Sequence, residues 1–167
     1  MKSVFFLILI SFTFNSCSNQ NKAIENYYPE EMPKDFDFVI DSDANDKYDS
    51  KSQTLTRRYQ DGDKKFVVLL SNKAKIRIYQ KYKEVDFLRI PSKFEKAGGN
   101  VLVGFPSFNY SIEVCERMNS QNCHKVSLWS DDLENNLIEK QKAIDFKEFY
   151  DLIWKEIRNS KEFQEIP

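Results

Sequence analysis

The chain has 167 residues, 25 basic and 26 acidic side chains, a net charge of -1 and 41% hydrophobic residues. That length builds one ordinary domain with its own core. The balanced charge, with no basic block, excludes a strongly basic nucleic-acid binder, so no nucleic-acid partner is expected.

The first element is a leader. Lys2 precedes the apolar run VFFLILISFTF, residues 4–14, which is shorter than the roughly 20 residues that span a hydrocarbon core. A basic start, a short apolar middle and then small polar residues describe a secretory signal. It ends in Phe14-Asn15-Ser16-Cys17, which resembles the lipobox of bacterial lipoproteins, with a small residue directly before the cysteine. Phe14 and Asn15 depart from the commonest form of that motif. The resemblance implies that residues 1–16 are removed and that Cys17 becomes a lipidated amino terminus. One acyl chain holds a bilayer only marginally, whereas two anchor stably; diacylglycerol on Cys17 therefore implies a membrane partner. Ser18 lacks the aspartate that the lipoprotein family associates with inner-membrane retention, so an outer-membrane location in the cell envelope is expected.

Residues 17–34 read as the lipidated cysteine and a flexible tether, polar and with two prolines, which spans ~23 Å on average. Residues 35–167 read as a single domain. FDFVID alternates Phe36, Phe38 and Ile40 with Asp37 and Asp41, the period of a half-buried strand. LTRRYQDGDKKFVVLL places two strand-like runs around Asp61-Gly62-Asp63, a hairpin signal.

Over SNKAKIRIYQKYKEVDFLRIP a strand and a helix compete. Ala74, Ile78, Tyr82 and Val85 share one helical face, Ser71 suits the N-cap and Pro91 enforces a stop, so a helix is expected. Gly98-Gly99 marks a loop, after which NYSIEV and KVSLW supply a second hairpin. The last segment predicts a helix with Asp145 as N-cap, Glu148 closing a capping box, and Ile144 and Phe149 as a hydrophobic staple. Phe146, Phe149, Tyr150, Ile153 and Ile157 form its buried stripe, and it ends near Asn159-Ser160. The fold class is therefore α+β: an antiparallel sheet of about five strands, two hairpins plus an N-terminal strand, packed with two helices. The 14 phenylalanines and eight tyrosines fall at periods that assign them mostly to the core.

The segments KYDSKSQTLTR, FVVLLSNKAKIRIYQKYKEVDFLRIPSKF, SIEV with KVSLWSDD, and LIWKEIRNSKEFQEIP together resemble a family of small, uncharacterised bacterial lipoproteins. The resemblance implies a lipid anchor and a compact α+β domain, and carries over no catalytic residue.

Four groups of residues invite chemistry. Cys115 and Cys123 flank a polar turn in what the leader makes an oxidising compartment, and a disulfide is expected. Closing so small a loop contributes roughly 2 to 3 kcal/mol in the chain-entropy model. His124, the only histidine, reads as exposed and structural. Asp41, Asp43 and Asn45 match positions 1, 3 and 5 of a calcium loop, but Asp46 stands where glycine turns that loop and Ser52 where a bidentate glutamate closes it; a solvated turn is the preferred reading. Asp131, Asp132 and Glu134 read as a solvated charge cluster rather than the paired carboxylates of a glycosidase.

No cofactor and no enzyme are indicated. The sequence predicts an envelope lipoprotein with a binding or accessory domain and a possible envelope protein partner. The alternatives are an immunity protein that inhibits a secreted toxin, and a hydrolase of envelope polymers.

Overall fold

The alternation in DFVID forms strand β1 (Asp37–Asp41), with Phe38 and Ile40 buried and their neighbours half-buried. A computed structural model describes residues 28–42, 45–98, 107–115, 123–135 and 137–167, and Glu31–Pro167 forms one compact unit. The leader and Cys17 lie outside the described residues.

From β1 the chain meanders through β2 (Asp46–Asp49), β3 (Thr54–Tyr59) and β4 (Gly62–Val67). Gly62 adopts φ 118° at the β3–β4 turn, a conformation that costs glycine little and other residues much. Helix α1 (Asn72–Glu84) follows, and then the hairpin of β5 (Asn109–Cys115) and β6 (Cys123–Trp129). Helix α2 (Lys140–Arg158) and the short α3 (Lys161–Gln164) close the chain. The sheet is antiparallel throughout, in the order β4-β3-β2-β1-β5-β6. The class is α+β, and the strand beyond the approximate five is β2.

Strand register sorts the side chains into rows. On one face Phe66, Leu55, Tyr48, Ile40, Ile112 and Val126 stand opposite one another from β4 to β6. On the other face, Lys65, Thr56, Lys47, Asp41, Ser111 and Ser127 form the polar row. One apolar and one polar face is the usual state of an antiparallel sheet with a single helical layer.

Both long helices meet the apolar face. Ser71 caps α1 by accepting from the Ala74 N–H at 3.2 Å, and Ala74, Ile78, Tyr79 and Tyr82 are buried. Phe146, Phe149, Ile153 and Ile157 of α2 are fully buried, each contributing roughly 1.5 to 3 kcal/mol by leaving water. Rings join the elements: Phe87 lies 5.5 Å from Phe149 and 5.6 Å from Tyr82.

Helix α2 begins at Lys140, earlier than the capping box predicts. Asp145 lies within the helix and accepts from Gln141 Nε2 at 2.9 Å, while Glu148 reaches Lys81 Nζ at 3.0 Å. Ile144 is exposed, so there is no staple. The burial of Ala143 extends the packed stripe one turn upstream, and tertiary packing overrides the local cap signal.

The sheet edges differ. Beside β6, the Ser127 N–H donates to the Ser92 carbonyl at 3.0 Å, and Lys93 bridges to Ser127. On the outer strand β4, Asp63, Lys64 and Lys65 place charge where another strand would pair.

Candidate functional site

Along α2, Lys147, Tyr150, Asp151, Trp154 and Arg158 fall on one stripe, because three- and four-residue steps return to the same helix face. That stripe runs beside Tyr110 of β5 and the turn between β1 and β2, enclosing a cleft of about 340 Å³. The Tyr110 and Tyr150 rings are 4.9 Å apart, and the Trp154 ring lies 6.3 Å from that of Tyr150. Lys147 Nζ sits 5.2 Å from the centre of the Tyr110 ring and 5.7 Å from that of Tyr150, and it binds both Asp151 carboxylate oxygens at 2.7 Å. The Arg158 guanidinium stands 5.7 Å from the Trp154 ring centre.

At the turn, Ser42 Oγ accepts from the Asp46 N–H at 3.0 Å. The Asp46 carboxylate is held by Arg57 through Nε at 2.9 Å and Nη2 at 3.1 Å. Tyr150 is buried, and that burial pushes its phenol well above the usual tyrosine range, with the nearby Trp154 side chain opposing the shift. The phenol therefore stays protonated at neutral pH and serves as a hydrogen-bonding group rather than a base.

Trp154 is only 3% exposed, and its indole side chain hydrogen-bonds toward the Tyr150 phenol, which opposes the effect of burial there. A buried indole N–H ordinarily finds a partner.

The residues singled out in the sequence lie elsewhere. Cys115 and Cys123 form a disulfide, S–S 2.01 Å. Glu113 shares their surroundings and completes the only metal-like cluster among the described residues, but sulfurs bonded to each other are not thiolate ligands. His124 is half-buried: its Nε2–H donates to the Ile90 carbonyl at 2.8 Å, and its ring meets the edge of Phe87.

Asp131 and Asp132 correct the solvated-cluster reading, since both are buried. Asp131 Oδ1 accepts from Ser107 Oγ at 2.6 Å. Asp132 Oδ2 accepts from the Trp129 N–H at 3.0 Å, and its Oδ1 lies 3.3 Å from Lys96 Nζ. Their carboxylates thus serve different partners, while Glu134 lies in the following 3-10 turn. His124 and Asp131 stand at opposite ends of β6.

The residues of the calcium-like pattern are spread over a strand end, a turn and the next strand. Strand β2 occupies Asp46–Asp49, where a calcium loop would still be turning. Asp41 pairs with Arg58 at 3.3 Å, Asn45 lies in the turn beside Ser42, and Asp43 lies outside the described residues.

The cleft was missed because its parts are distant in sequence. The available signal was the i, i+4 step from Tyr150 to Trp154 with cations at 147 and 158, a polar-aromatic stripe beside the apolar one. No family model, curated protein or solved structure matches this chain.

Proposed function

We propose that this chain is a bacterial envelope lipoprotein, moored by lipid on Cys17, whose domain is a non-enzymatic binding module that uses the α2 cleft. The leader VFFLILISFTF and the lipobox-like residues before Cys17 support the anchor. No helix of the described residues is long and apolar enough to cross a membrane. The observation that carries the binding role is an aromatic cleft, walled by Tyr110 and Tyr150, with a charged rim of Lys147, Asp151 and Arg158. Pockets of this kind combine apolar walls with a few placed polar groups.

Two experiments test the reading. Wild type labels with fatty acid and fractionates with membranes, and Cys17→Ala does neither; a variant as membrane-bound as wild type removes the anchor. A photo-crosslinking residue placed at Asn45, at the cleft, captures an envelope partner that the same residue at exposed Lys73 does not. Equal capture, or none from either position, removes the cleft as the binding surface.

A further inference from the structure

We infer that Cys115, Cys123 and Glu113 form a zinc site that the disulfide holds shut: reduction of the bridge opens the site, and oxidation closes it. This goes beyond the reading of the domain as a binding module and does not depend on it.

The register of the β5–β6 hairpin brings the ligands together. Cys115 and Cys123 stand directly opposite each other, and Glu113, two residues before Cys115, lies on the same face of β5. One ligand atom from each of the three lies within 4.8 Å of the other two. Zinc–sulfur bonds of about 2.3 Å place the two sulfurs of a tetrahedral site ~3.8 Å apart. Facing side chains reach that separation by rotation once the bond between the sulfurs is gone. Asp37 stands opposite Cys115 on β1, so a second carboxylate borders the set.

Charge and access fit a metal. Glu113 has no hydrogen bond or ion pair among the described residues, although Lys125 is its register partner. An unpaired carboxylate beside two thiols opposes their ionisation, and a bound cation reverses that effect. Thiolate ligands select zinc over calcium or magnesium, which take oxygen. Two thiolates and a carboxylate carry one negative charge more than Zn2+ neutralises, and Lys125 offsets it. Cys123 is exposed while Cys115 and Glu113 are half-buried, so a reductant reaches one sulfur directly.

The opening step is thiol–disulfide exchange with a dithiol donor. A donor thiolate attacks Cys123 Sγ, the S–S bond breaks, and Cys115 leaves as a thiolate. The second donor thiol then displaces Cys123. Two electrons and two protons pass to the cysteine pair, and the donor departs as its own disulfide. Zinc binding afterwards releases the two thiol protons to water.

The test uses the full-length Cys17→Ala protein, in which Cys115 and Cys123 are the only cysteines. It is reduced with dithiothreitol, freed of reductant without oxygen, and titrated with Co2+ alone. Thiolate-to-cobalt charge transfer and the visible bands of tetrahedral Co2+ are expected to saturate at one metal per chain, to disappear on adding Zn2+, and to be absent from the oxidised protein. Glu113→Gln is expected to weaken binding roughly tenfold or more. Zn2+ should raise the unfolding temperature of the reduced protein and leave that of the oxidised protein unchanged.

A reduced protein that gives no charge-transfer band, an oxidised protein that binds as well, or a Glu113→Gln variant that binds as its parent would each overturn the site. So would equal cobalt affinity in urea, where the strands are apart, because the ligands would then owe nothing to the sheet.

Discussion

Tyr48 and Tyr150 are both buried tyrosines on the helical side of the sheet, and the regions around them differ. Tyr48 is fully buried, and its hydroxyl donates to the Val68 carbonyl at 3.0 Å. Around Tyr150 the rings are as close, yet they border a cleft rimmed by Lys147, Asp151 and Arg158. The first region is closed by its own bonds. The second opens on a charged cleft, and that difference separates a piece of core from a candidate site.

The largest perturbation tests how tightly the two are joined. Phe149 is fully buried and meets rings at Tyr82 and Phe87, directly before the cleft residue Tyr150 in α2. Phe149→Ala is expected to cost about 3 to 5 kcal/mol, the range for large aromatic deletions, measured by urea unfolding. Arg158→Gln is expected to leave stability unchanged. A loss near 1 kcal/mol for Phe149→Ala would mean that the closed region is loosely packed and that the contrast is weaker than drawn.

Next comes the disulfide, which belongs to neither region. Replacing Cys115 and Cys123 together by alanine opens a loop with a sequence separation of 8 and is expected to cost about 2.5 kcal/mol in the chain-entropy model. Capture of a partner from position 45 should be unaltered at temperatures where the variant is folded. Loss of binding along with stability would show that the cleft depends on the far end of the β5–β6 hairpin.

The tyrosines themselves give the direct comparison. Tyr48→Phe leaves the buried Val68 carbonyl without its donor, at an expected cost of about 1 to 2 kcal/mol; Tyr150→Phe is expected to cost less than about 1 kcal/mol. Burial raises both phenols well above the ordinary value of 10.0. An acid whose folded pKa is raised contributes stability that is complete below its unfolded pKa and lost as pH rises toward the folded one. Thermal unfolding should therefore hold from neutral pH to about pH 10 and fall above it. Each phenylalanine variant should flatten that alkaline limb; a parent limb as flat as the variants' would show that neither phenol resists ionisation.

What could be read from the sequence follows the range of the forces involved. Strand β1, both hairpins and α1 were legible because their apolar periods and caps are local: Phe38 and Ile40, the turn at Gly62, Ser71 before Ala74. Strand β2 was not. Only Tyr48 is buried in DKYD, and its strand geometry comes from ladders to β1 and β3. The same limit hid the early start of α2, fixed by Ala143 in the core, and the burial of Asp131 and Asp132, whose partners Ser107 and Lys96 are distant in sequence. The cleft lay furthest out of reach, since Tyr110 and Trp154 become neighbours only through the packing of α2 on β5.

The smallest expected effect lies on the polar face of the sheet. Asp41 faces Arg58 at 3.3 Å, with 24% and 40% of the two side chains exposed, and a solvated pair of this kind contributes less than about 1 kcal/mol. Asp41→Asn is therefore expected to shift stability by no more than about 0.5 kcal/mol. Millimolar calcium should raise the unfolding temperature of neither the parent nor the variant, because β2 occupies the positions that a calcium loop uses to complete its shell. A calcium-dependent rise that vanished in Asp41→Asn would restore the metal site. It would also move the candidate binding surface from the cleft between α2 and β5 to the polar face of the sheet.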